Sequence, residues 1–189
     1  MLIPLTAEWR VDRERKRRAG AFLAALRREP DDADVRWLAD AAAQGDVDHA
    51  RWELRYARLA LGVLTAQRDA LDDRTSSDVV AALAVALRDD PGVAPDLRVL
   101  AEKQFNDRLG AYREALNAHG GSVGAGERLG RVLLAFASDG ARSAGTPLAR
   151  AVELLSGYVA EANQSLRDVY GAAQLPEHLP PSELGAIKG

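Results

Sequence analysis

The stretch VDHARWELRYARLALGVLTAQRDALDD, Val47 to Asp73, decides the fold. It reads as one long helix behind the N-cap residue Asp46. Advancing about 100° per residue from Glu53, Ala57, Ala60, Leu64 and Leu71 fall close to the carboxylate. Trp52, Tyr56, Leu59, Val63 and Ala66 fill one flank, and Leu54 and Leu61 fill the other. Only a narrow sector remains for Arg51, Arg55, Arg58, Asp69 and Asp73. A helix apolar over so wide an arc belongs inside a bundle. Its glutamate then needs a partner or a shifted pKa, because an isolated charge is costly in hydrocarbon.

Helical segments flank this one on both sides. The first is predicted from about Ala7 to Arg28, behind Thr6 and stopped by Pro30. Asp31 caps the second, about Asp32 to Gln44, which ends at Gly45. After the central helix, Thr75 with Asp78 three residues on resembles a capping box for a helix through Arg88. Pro91 and Gly92 break the chain. Further helices are predicted over Pro95–Ala118, Gly126–Ser138 and, behind the cap-then-proline start Thr146-Pro147, through Tyr170. The last carries a stripe of Leu148, Val152, Leu155, Val159, Ala162 and Leu166. No stretch alternates with period two, so no sheet is predicted. The expectation is an all-α bundle of about seven helices: one domain over residues 1–172, with a Pro-rich tail over residues 173–189, either mobile or laid on a groove as an extended strap.

Composition narrows the function classes. The chain of 189 residues is 47% hydrophobic and 28% charged, which suits one folded domain with a sizeable core. A net charge of −3 gives no global attraction to nucleic acid or anionic membrane. With no cysteine, disulfides, thiolate zinc sites and cysteine nucleophiles are excluded. No apolar run reaches the ~18 residues of a membrane span. Met1-Leu2-Ile3-Pro4-Leu5 is too short for a signal-peptide core. A cytoplasmic protein without membrane contact is the expectation. Serines and threonines gather in caps and loops with no nearby histidine-and-acid set, so no nucleophilic triad is predicted.

Glu53 finds its candidate partner on the helix predicted over Pro95–Ala118. The apolar face there is Leu97, Ala101, Phe105, Leu109, Tyr112, Ala115 and Leu116, and Gln104 and Arg108 fall inside it. The two helices are expected to pack together, Arg108 meeting Glu53 as a bidentate fork. Gln104 or Tyr112 would complete the hydrogen bonds of this buried polar centre. A metal site is the sharper alternative, since His49 and Glu53 are four apart and share a direction. Yet no Glu-x-x-His motif supplies the further ligands of a metal-binding bundle, so neither metal nor other cofactor is expected. The loop His119–Gly126 precedes a helix but lacks the lysine of a phosphate-binding loop, and a connector is the better reading.

Two surface features remain. Arg10, Arg13, Arg15, Lys16, Arg17 and Arg18 form a basic cluster broken by Asp12 and Glu14. Consecutive positions ring a helix instead of lining a groove, so Arg10, Arg13, Lys16 and Arg17 are candidate nucleic-acid contacts only in an alternative reading. Trp37 lies opposite Val35, Ala39 and Ala42, which marks it as an interface candidate because tryptophan is enriched at interface hot spots. The leading expectation is a non-enzymatic helical interaction protein that contacts a protein partner or itself as a homo-oligomer. A nucleic-acid-associated protein ranks second, and a small-molecule or metal-binding bundle centred on Glu53 and His49 third.

Overall fold

From Leu59 to Ala66 every residue of the central helix is buried, which is more than two full turns with no solvent side. This helix, α3 (Val47–Asp69), is the axis of the molecule. Around it stand α1 (Ala7–Leu26), α2 (Asp32–Ala41), α4 (Asp73–Arg88), α5 (Arg98–Asn117), α6 (Ala125–Ala137) and α7 (Thr146–Tyr170), and each of them touches it. The structure, a computed structural model, describes residues 7–69, 73–118, 123–138 and 146–171. Among these, seven α-helices and a 3-10 turn, Pro95–Leu97, form an all-α bundle without strands. The tail from residue 172 and the loop 119–122 lie outside the described residues.

Side-chain pairs fix the directions of the helices. Arg15 meets Asp78 at 2.9 Å and Arg27 meets Asp90 at 3.5 Å, so α1 and α4 run parallel. Against α3, residue numbers descend along α1 as they rise along α3: Arg55 bonds Glu29, Arg58 donates to the Arg28 carbonyl, and Gly62 faces Leu26. Those two helices are therefore antiparallel. Gly62 lets the two helices approach closely, since a Cβ there would overlap the end of the Leu26 side chain. Gly130 likewise lets α6 close on α7, where a Cβ would meet Leu148 and Val152 at 3.0 and 3.1 Å.

Caps follow the local chemistry. Asp31 Oδ1 accepts from the Ala33 amide at 2.7 Å, and Asp46 Oδ1 accepts from the His49 amide at 2.9 Å. Helix α2 stops at Ala41, earlier than the predicted Gln44: the backbone leaves helical geometry at Ala42 (φ −141°), and Gln44 and Gly45 then turn the chain with positive φ (54° and 87°). Several expectations need correction. Helix α3 ends at Asp69, residues 70–72 lie outside the described residues, and α4 already begins at Asp73. Thr75 is thus no cap but a buried residue inside α4, and Asp78 spends its carboxylate on Arg15. Helix α5 starts at Arg98, because Pro95–Leu97 form the 3-10 turn, and Leu97 is half exposed instead of core. On α7 the buried line runs through Ala151, Leu155, Tyr158 and Ala162, which leaves Leu148, Val152 and Val159 at its edge.

Candidate functional site

Glu53 is buried on α3, and a guanidinium from α5 reaches it. Arg108 Nε donates to both carboxylate oxygens, at 3.2 and 3.0 Å, and Nη2 donates to Oε1. The side chains are 12% and 3% exposed for Arg108 and Glu53, so the pair is removed from water on both sides. Nη1 turns back to the Gln104 carbonyl at 3.2 Å. The guanidinium lies over two aromatic rings, its carbon 4.4 Å from the Phe136 ring centroid and 5.5 Å from that of Tyr56. Burial opposes the charge on Arg108, but the hydrogen bonds and attraction of Glu53 outweigh it and hold the Arg108 pKa above its ordinary value.

Gln104 and Tyr112 take other places than predicted. Gln104 serves through its backbone carbonyl, and the residue also lines a neighbouring cavity. Tyr112, 1% exposed, packs beside the pair without hydrogen-bonding to Glu53. Burial first, then the nearby Glu53 charge, raises its phenol pKa well above 10, with Arg108 pulling the other way. Tyr56 lies closer to the rim, donates to the Ala101 carbonyl at 3.4 Å, and has its pKa raised chiefly by burial.

The cavity beside the pair holds about 340 Å³. Trp52, Leu97, Leu100 and Ala101 give it an apolar mouth, while His49, Gln104 and Arg108 supply its polar wall. His49 and Glu53 do share this space, but the imidazole Nε2 lies 3.2 Å from the Phe136 carbonyl and the carboxylate is engaged by Arg108. Among the described residues no group of three or more His, Asp or Glu side chains is placed to hold a metal ion.

Comparison of the chain with family models, curated proteins and solved structures returned no match. The remaining predicted residues are placed as follows. Trp37 is half-buried and packs against the core from α2. On α1, Lys16 bonds Asp12 at 2.8 Å and Arg17 and Arg18 share Glu14, whose pKa their hydrogen bonds lower to about 2. Arg13 lies 5.2 Å over the Trp9 ring, and Arg10 is exposed without an ion pair among the described residues. The acids that interrupt the cluster therefore neutralise most of it. No helix among the described residues is long and apolar enough to cross a membrane.

Two contributors escaped the sequence reading. Phe136, on α6, sets its ring beneath the Arg108 guanidinium and offers the carbonyl that His49 meets. Arg128 donates to the carbonyls of Ala115 at 2.7 Å and Ala118 at 3.0 Å, and so closes the C-terminus of α5 from α6. Its short distance after a predicted helix end was the available signal, since arginine near a C-terminus suits the exposed carbonyls.

Proposed function

We propose that this protein is a non-enzymatic helical module that works by associating with itself. One observation carries the reading: large apolar side chains stand exposed on α4 (Val80 and Val85) and around the start of α5 (Leu97, Val99 and Leu100), while the buried charge is neutralised inside the chain. Apolar surface gathered on neighbouring elements marks contact with another chain, and a fully engaged carboxylate offers little general-acid or general-base chemistry. Size-exclusion chromatography with light scattering, run over a wide concentration range, tests it. A mass that climbs from monomer towards dimer is the expected result, and a monomer at every concentration refutes it.

A second reading draws on the 340 Å³ cavity, whose Gln104 amide has no hydrogen-bond partner among the described residues. A small apolar molecule with an amide or carboxylate head suits such a lining. Thermal-shift measurements with a panel of such compounds, repeated on Leu100→Asp at the rim, check it, and the absence of any shift removes it. Nucleic-acid contact through α1 has less support, because Lys16, Arg17 and Arg18 are already bonded to acids of their own helix. Binding to DNA or RNA that falls steeply with salt would restore that alternative.

A further inference from the structure

A second cavity, of about 680 Å³, opens between α3, α5, α6 and α7 and shares no lining residue with the one beside Glu53. Leu61, Leu64 and Thr65 of α3 and Leu129 of α6 form the buried part of its lining. Arg68 and Arg113 stand exposed at its rim. No Asp or Glu lines it. An apolar concavity of roughly 300–1,000 Å³ with a few polar groups is the usual form of a small-molecule site.

Thr65 is the residue that points to a ligand. It is only 4% exposed, yet its hydroxyl makes no hydrogen bond among the described residues. Ser77, Ser138 and Ser156, also at helical positions or a helix end, each donate to the carbonyl four residues back, at 2.8, 2.7 and 2.7 Å. A buried hydroxyl left without a partner is costly, and valine would fill the same space without that cost. The cavity lined by Thr65 is where a partner can enter. The charges at the rim select its sign. Arg68 is neutralised, because two of its N–H groups hold Asp69 at 2.7 Å. Arg113 forms no ion pair among the described residues. One uncommitted positive charge above an apolar floor suits a single negative charge on an apolar body. A guanidinium engages a carboxylate through two N–H groups, and the carboxylate keeps lone pairs for a hydroxyl donor. A phosphate monoester would bring a second charge that nothing in the lining meets.

We infer that this cavity binds a small amphiphilic carboxylate, whose apolar body lies on Leu61, Leu64 and Leu129 and whose head is received by the Thr65 hydroxyl and the Arg113 guanidinium. The site goes beyond the self-association reading and does not depend on it.

Isothermal titration calorimetry of the full chain tests it with decanoate, and with decanol as the same body without the charge. Circular dichroism verifies that each variant is folded. The wild type takes up a single decanoate and binds it roughly tenfold more tightly than decanol. Arg113→Glu, on the exposed rim, removes that preference and leaves decanol binding unchanged. Thr65→Val weakens decanoate binding roughly tenfold, whereas Thr65→Ser keeps the hydroxyl and binds as the wild type does. Leu100→Asp, at the mouth of the cavity beside Glu53, changes nothing. Equal affinity for decanoate and decanol, or no uptake of decanoate, overturns the inference. Binding that survives both Arg113→Glu and Thr65→Val but is lost in Leu100→Asp overturns it too, and moves the carboxylate to the other cavity.

Discussion

Helices α3 and α4 carry the same kind of sequence and meet different surroundings. Both are apolar around most of their circumference. Helix α3 touches all six other helices, whereas the main neighbours of α4 among the described residues are α1, α3 and α5. The charge within the α3 arc finds its partner in the same chain, from Arg108. On α4 the exposed Asp73, Arg74 and Arg88 form no ion pair among the described residues. An apolar arc therefore reports the demand for cover, and the tertiary arrangement alone shows whether the chain supplies that cover itself.

The sharpest way to break this contrast is to place the same charge on both helices. Ala57 is fully buried beside Glu53, and Ala57→Glu adds a second, unpaired carboxylate there. It should cost more than about 4 kcal/mol and leave the chain unfolded in a urea titration. Ala84→Glu on the open face of α4 should stay within about 0.5 kcal/mol at concentrations where the chain is monomeric. Equal effects would dissolve the distinction between the two helices.

Next in size comes the ion pair. Arg108→Ala strands the Glu53 carboxylate and should cost about 3–5 kcal/mol. Calorimetry should show that as a fall in Tm of roughly 6–20 °C. Replacing both residues by leucine should recover most of the loss, because an apolar pair leaves no charge to solvate. A double variant as unstable as the single one would mean that the pair itself, and not the stranded charge, carries the stability.

Alkaline pH probes the tyrosines packed around the same axis. Burial pushes the Tyr158 phenol up to about 12, against an ordinary value of 10.0, with the Arg58 charge opposing. The folded state thus keeps its proton where the unfolded state releases it. The resulting stability is fully present below pH ~10 and is lost as pH rises towards ~12, amounting to about 3 kcal/mol. Tyr112, also raised, acts in the same direction. Chemical denaturation at a series of pH values should show this decline, and Tyr158→Phe should make it shallower. An unchanged slope in that variant would assign the alkaline loss to other groups.

The smallest effects come from glycines. Gly62→Ala drives a methyl into Leu26, whose side chain is itself buried, and should cost about 1 kcal/mol even after the gain in helix propensity. Gly110→Ala on α5 meets no atom within 4 Å and should gain about 0.5–1 kcal/mol. Similar shifts in Tm for the two variants would show that Leu26 yields freely and that α3 is less tightly enclosed than its burial implies.

Much of the fold was legible in residue order. Pro30, Gly45, Pro91-Gly92 and Thr146-Pro147 bounded helices within a few residues of where they stand, because breakers and caps act through their own backbone. The angular position of Glu53 announced its burial, and the polar Arg108 inside the α5 arc was named as its partner, as the structure shows. Errors fell where a distant helix or an unforeseen local turn intervened. Asp78 was read as a local cap, yet Arg15 of α1 claims it. Leu97 was assigned to the core by periodicity, yet the 3-10 turn rotates it outwards. The basic run on α1 was read as broken by Asp12 and Glu14, and those acids, one turn away, bind Lys16, Arg17 and Arg18.

Residue order by itself determined the all-helical class, the central place of α3 and the need for a counter-charge at Glu53. These follow from a 3.6-residue period and the cost of burying a charge, both of which act along one helix. Only the tertiary structure decided that α1 and α4 run parallel, that the guanidinium lies over the Phe136 and Tyr56 rings, and that Val80 and Val85 of α4 stay exposed among the described residues. Such outcomes depend on how seven helices cross, and crossing is set by side chains interlocking between segments far apart in the chain.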